Sequence, residues 1–107
     1  MNDLEKRRSE GRAAILKALA HPSRLLIVEK LSEKSFCVCE LTAMVGADTS
    51  TVSKHLSILR NAGIVSDSKQ GTSVYYSLEA PCLLRLLDCV ESVIQQNLQR
   101  QLSYLKA

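Results

Sequence analysis

Asp48-Thr49-Ser50-Thr51-Val52-Ser53-Lys54-His55-Leu56-Ser57-Ile58-Leu59-Arg60-Asn61-Ala62-Gly63 is the stretch whose reading decides the fold. Its opening, Asp48-Thr49-Ser50-Thr51, offers short polar side chains of the kind that cap a helix N-terminus. Val52, Leu56 and Leu59 follow at steps of four and three, the spacing of one helix face. The run predicts a helix reaching Ala62 and closed by Gly63, with those three residues turned to a core. Ser50, Thr51, Ser53, Lys54 and His55 fall on and beside its first turns and are expected to be exposed.

Toward the N-terminus, Gly46-Ala47-Asp48 joins this helix to a shorter one over about Val38 to Val45, with Gly46 at its C′ position. Further back, His21-Pro22 divides two helices. The residue before proline is pushed out of the α region, which ends a helix over Leu4 to Ala20. Pro22 then suits the first turn of a helix to about Leu31, carrying Leu25, Leu26, Val28 and Leu31. Toward the C-terminus the period changes. Ile64 to Lys69 and Ser73 to Leu78 are rich in β-branched and aromatic residues, with Lys69-Gln70-Gly71-Thr72 as a hairpin turn. Tyr75 and Tyr76 alternate, so one faces the core and the other is available to a nucleic-acid backbone. Pro81 opens a last long helix to about Leu105, with Leu83, Leu87, Val90, Ile94, Leu98 and Leu105 near a helical period. The expected class is mostly α with a small β-hairpin, in the order α-α-α-α-β-β-α, as a single domain over residues 1–107.

Composition narrows the functions. A chain of 107 residues has the size of one hydrophobic core. With 46% hydrophobic and 23% charged residues it is not a disordered tail. Aromatics at 4%, with no Trp and one Phe, argue against a reader that stacks single-stranded bases on aromatic platforms. Fourteen Lys and Arg against eleven Asp and Glu give +3, which permits nucleic-acid binding without proving it. There is no Gly-rich phosphate loop, no Ser/His/Asp arrangement and no helix-borne carboxylate pair, so the chain does not read as an enzyme. Met1 to Glu10 is charged, and no stretch approaches the roughly 20 apolar residues of a membrane helix. The chain reads as cytoplasmic, where its four Cys serve as apolar thiols, metal ligands or redox groups rather than structural disulfides.

Two short helices joined by a tight turn and followed at once by a hairpin describe a winged helix-turn-helix. In such folds the second helix enters the DNA major groove. Ser50, Thr51 and Ser53 have hydroxyls short enough to approach base edges and phosphates, and the helix N-terminus favours phosphate. Lys54, His55 and Arg60 add donors on the same helix, and Lys69 and Gln70 add them on the wing. The alternative is that the Ser/Thr run only caps an ordinary helix; the hairpin directly after it favours the DNA reading.

Ser53 to Val65 resembles the recognition-helix signature of the ArsR/SmtB family of bacterial metal-responsive repressors. Ala20-His21-Pro22-Ser23-Arg24-Leu25 resembles that family's joint between the first two helices, and Phe36-Cys37-Val38-Cys39-Glu40-Leu41 resembles its cysteine box. The resemblance spans about Leu16 to Leu87. It implies a homodimer, paired through the first and last helices, that binds double-stranded operator DNA of a resistance operon without a cofactor and leaves when a thiophilic ion binds.

Cys37 and Cys39 are two apart, about 200° around a regular helix, but on one side of an extended or half-wound segment. They form a chelate only where the third helix begins, or if binding unwinds that turn. A helix N-terminus lowers a thiol pKa, so thiolates are expected there, and closing the chelate distorts the helix that supports the recognition helix. Thiolates select soft metals and metalloids. The alternative is two small buried apolar residues. Arsenic-sensing members often carry a third Cys where this chain has Thr42, and residues 1–20 hold none of the N-terminal thiols used by cadmium and lead sensors. The last helix offers Asp88 and Glu91 but no His, against the family's zinc site. The resemblance thus points to arsenite, antimonite or an organoarsenical as inducer; a methylated or aromatic arsenical needs only two thiols. Cys82 is the candidate third ligand, at the expected start of the last helix, with Cys89 seven residues on. Those two also suit packing in the dimer interface or a disulfide or persulfide switch. A thiol redox or reactive-sulfur sensor on the same scaffold is the second reading.

Overall fold

The computed structural model describes residues 1–106. Its elements are α1 (Asp3–Leu19), α2 (Pro22–Leu31), β1 (Phe36–Cys37), α3 (Val38–Val45), α4 (Thr49–Asn61), β2 (Val65–Gln70), β3 (Ser73–Leu78) and α5 (Leu83–Lys106). The architecture is the mostly helical winged helix-turn-helix expected, with one addition. β1 pairs with β3, so the hairpin becomes a three-stranded antiparallel sheet in the order β1-β3-β2. A two-residue strand carries no periodicity to read, and only its register, Phe36 opposite Tyr76 and Cys37 opposite Tyr75, defines it.

Local chemistry sets the helix ends. Asn2 caps α1, accepting from the Glu5 amide at 2.8 Å. The His21 ring accepts from the Ser23 amide at 3.0 Å and caps α2, with Pro22 at the first helical position as expected. Gly46 closes α3 at φ 75°, in the left-handed region that glycine tolerates best. Two sequence boundaries move. The hairpin turn is tighter than Lys69 to Thr72: Gln70 pairs with Ser73, leaving a Gly71-Thr72 loop with Gly71 at φ 63°. Pro81 and Cys82 form a turn ahead of α5 rather than its first turn, because the Leu84 and Arg85 amides reach back only three residues, to Pro81 and Cys82.

The core lies between α2, α3, α4 and the sheet. Val52, Leu56 and Leu59 are fully buried as their spacing predicted, against Ile27, Val28, Leu41 and Ile64. Tyr76 is the inward tyrosine, and burial raises its phenol pKa. This packing holds α4 beside the wing. α5 is different: none of its residues is buried, and Leu83, Leu84 and Leu87 near its start are the ones that pack against the core.

Candidate functional site

The N-terminus of α4 is built by Asp48. Its carboxylate accepts from the Thr51 amide at 2.7 Å and from the Ser50 hydroxyl at 2.8 Å. These bonds, the Thr51 amide first, hold Asp48 down at about 2. Ser50, Thr51 and Lys54 are exposed and Ser53 half-buried, on the side opposite the core stripe. Lys69 and Gln70 are exposed, and both sit on the end of β2 rather than in the turn. The first turn of α4 and the wing adjoin one cleft, through Thr49 on one side and Thr72, Ser73 and Val74 on the other, and both elements carry exposed hydroxyls or lysines.

Two residues assigned to that surface are engaged elsewhere. His55 faces inward. Its ring lies 4.4 Å from that of His21, and its Nδ1 is 3.2 Å from an Arg24 guanidinium nitrogen. Burial, then the neighbouring His21 and Arg24, lowers its pKa. It lies three residues after Val52 and one before Leu56, at the rim of the buried stripe, and packing against α2 claims it. Arg60 pairs with Asp67 of β2 at 3.0 Å, an exposed ion pair between the end of α4 and the wing. The Arg24–His55 junction was missed; the proline joint and the histidine were both visible, but nothing in their spacing announces contact between residues 31 apart.

The thiol pair sits where a strand becomes a helix. Cys37 ends β1 with extended backbone, φ −78° and ψ 162°, and serves as the N-cap residue of α3. Cys39 lies in the first helical turn. This half-wound geometry brings the two Sγ atoms to 2.6 Å, inside van der Waals contact. The Cys37 amide donates to the Glu40 carboxylate at 3.1 Å, and that bond lowers the Glu40 pKa. Contrary to the thiolate expected at a helix start, the Cys37 thiol is pushed up, chiefly by the hydrogen bond with Cys39, which outweighs the Glu40 amide. Cys37 is buried and Cys39 exposed. Among the described residues no third His, Cys, Asp or Glu completes a metal-binding group, so within one protomer Cys82 does not join the pair. Cys82 and Cys89 are both exposed. A cleft of about 290 Å³ adjoins the pair, walled by Val38, by Thr49 of α4 and by Thr72, Ser73 and Val74 of the wing.

A helix-turn-helix with an exposed recognition-helix start, braced against a wing, defines the class as a winged-helix DNA-binding regulator. Residues 21–67 match the family described as "Bacterial regulatory protein, arsR family". The chain is 36% identical over 84% of its length to the biofilm growth-associated repressor of Agrobacterium fabrum, covering 76% of that protein. It is 37% identical over 80% of its length to a homologue of the cadmium resistance transcriptional regulatory protein CadC from Staphylococcus aureus, covering 72% of it. This chain belongs to the ArsR family of transcriptional regulators. Its fold is similar to the crystal structure of NolR from Sinorhizobium fredii, at TM-score 0.80 and 30% identity over 87% of this chain and 93% of that one. It is also similar to the homodimeric winged helix-turn-helix domain of Mb0332 from Mycobacterium bovis, at TM-score 0.77 and 27% identity over 94% and 93%. No described helix is long and apolar enough to cross a membrane.

Proposed function

We propose that this protein is a homodimeric repressor of a resistance operon that leaves its operator when a soft metalloid, trivalent arsenic or antimony, closes on Cys37 and Cys39. The observation that carries this reading is the 2.6 Å approach of the two sulfurs at the start of α3. Soft thiolate ligands select ions of this type, and ligation at that position acts on the helix that backs the recognition helix. Ser50, Thr51, Ser53 and Lys54 read and grip the duplex, with Lys69 and Gln70 of the wing on its backbone. Two copies joined through α1 and α5 present two recognition helices to a pseudo-palindrome. Cadmium resistance is the named role of the CadC homologue, and biofilm growth that of the other repressor.

The deciding experiment selects a bound duplex from a random library and measures release by arsenite, antimonite, cadmium, zinc and peroxide. Release by arsenite or antimonite, lost in Cys37→Ser and Cys39→Ser variants that still bind DNA, is the expected result. Continued arsenite release in both variants, with loss in Cys82→Ser or Cys89→Ser, would move the site to the last helix. The same sulfur contact favours one other reading, a dithiol that peroxide oxidises to a disulfide with release of two waters. Release by peroxide alone would select it.

A further inference from the structure

We infer that His55 is a positioning residue of the recognition helix, locked onto α2 by Arg24 and His21, and that acid opens this lock and weakens the hold of α4 on DNA. The inference rests on the DNA-reading role of α4 proposed above and not on thiol capture.

The lock is read from its hydrogen bonds. An arginine guanidinium only donates, so the 3.2 Å contact between Arg24 Nη1 and His55 Nδ1 makes that ring nitrogen an acceptor. The single ring proton of neutral His55 is then on Nε2. His21 is fixed in the same tautomer, because its Nδ1 accepts from the Ser23 amide at 3.0 Å. The two rings lie 4.4 Å apart at 45°. Val52, Leu56 and Leu59 attach α4 to the core through apolar contacts, which have no direction. The Arg24–His55 bond does have one. It sets the rotation of α4 about its own axis, one turn after Thr51.

A second proton on His55 has to enter at Nδ1, where Arg24 already donates. The bond is then lost and two cations are left in contact. Among the described residues no carboxylate pairs with Arg24 or His55, and Arg24 Nε is the one buried side-chain polar atom without a hydrogen-bond partner. Lys17 of α1 shares a cleft with Arg24 and is a further cation; the other charged residues of α1 are exposed. Glu40 of α3 is engaged by the Cys37 amide, and Asp67 of β2 by Arg60. Glu29 of α2 lines a cleft with α5, and Lys30 beside it adds only another cation. On α4 itself Lys54 is exposed, and the Asp48 carboxylate is taken by Ser50 and Thr51. Burial, then His21 and Arg24, lowers the His55 pKa from its usual 6.5. The lock is therefore complete above about pH 6.5 and fails as pH falls through the lowered value. The sign is diagnostic. A histidine facing the duplex gains charge in acid and grips phosphate more tightly, whereas a locked one lets go.

The test measures operator affinity by fluorescence anisotropy, on the duplex selected as above, from about pH 8 to about pH 5.5 at fixed ionic strength. Thermal melts confirm a folded protein throughout. Wild-type Kd is expected to rise about tenfold or more over this range, with uptake of one proton per protomer. His55→Asn places an amide oxygen near the Nδ1 position, where it accepts from Arg24 and does not titrate. Arg24→Gln removes the cation and can turn its oxygen toward a protonated ring. Each variant is expected to flatten the pH dependence, whatever its affinity at neutral pH. The Cys37→Ser and Cys39→Ser variants are expected to keep it. Long-range ¹H–¹⁵N NMR reads the tautomer directly, and an Nε2–H ring is expected for His55 near neutral pH. Binding that holds or tightens in acid overturns the lock. So does an acid loss that survives in whichever lock variants fold, or vanishes in the thiol variants, and so does an Nδ1–H ring. A protein that binds no duplex even at neutral pH overturns the DNA reading, and this inference with it.

Discussion

α4 and α5 are both amphipathic, yet they end in opposite circumstances. The apolar stripe of α4, Val52, Leu56 and Leu59, is wholly buried within one protomer. The stripe of α5 stands in the open: Val90 is 47% exposed, Ile94 56% and Leu98 56%. Periodicity states that a helix has a face to bury, and not what will bury it. Here the DNA-reading half meets that demand inside the chain. The last helix carries its demand outward, giving a radius of gyration of 17.1 Å, against about 13 Å for a compact chain of this length. Leu16 of α1 is also open, beside an apolar cleft shared with Leu83 and Leu86 at the start of α5.

The largest expected break in this contrast comes from truncating each stripe. Leu56→Ala is expected to cost about 2–5 kcal/mol in denaturant unfolding, the range for a leucine in a close-packed core. Ile94→Asp with Leu98→Asp is expected to convert the proposed dimer to a folded monomer, read by sedimentation at micromolar concentration. A double variant that stays dimeric would locate the subunit interface elsewhere.

Smaller effects sharpen the account of the DNA-reading half. Lys69→Ala is expected to lower the log–log salt slope of operator binding by about 0.9 and to weaken all sequences alike; an unchanged slope would remove the wing from the duplex. Ser50→Ala and Ser53→Ala are expected to alter sequence preference more than the slope. Asp48 gives a pH signature. Its carboxyl, normally near 3.8, is held at about 2 when folded, so its support for α4 is complete above about pH 4 and disappears as pH falls toward 2. Asp48→Asn should flatten that part of the acid-unfolding curve. The smallest change is expected from Arg60→Ala: an exposed pair such as Arg60–Asp67 is worth under about 1 kcal/mol.

Most of the fold was legible because it rests on local rules: a proline joint at His21-Pro22, glycine ends at Gly46 and Gly63, and regular stripes in α4 and α5. What escaped depends on contacts between distant segments. β1 is too short for a pattern and exists through its pairing with Tyr75 and Tyr76. His55 lies at a stripe edge, where sequence allows either face, and the nearby His21 and Arg24 decide it. The thiol pair was placed correctly at a helix start, while the direction expected for the Cys37 thiol pKa was not. The helix-terminus rule treats one cysteine alone, and here a second sulfur lies against the first.

Cys37 is at once the last residue of a strand and the cap of a helix, which makes it a fulcrum. The sheet holds one side of that point firmly, and α3 is the lever on the other. Eight residues make a lever about 12 Å long. A tilt of about 10° at the sulfur then carries the far end, Gly46, through about 2 Å, and the turn at Gly46-Ala47-Asp48 hands that displacement to the tip of the recognition helix. Hydrogen bonds to base edges fail over smaller distances. Under the proposed thiol capture, a reaction at one sulfur atom would be magnified mechanically before it reached the DNA.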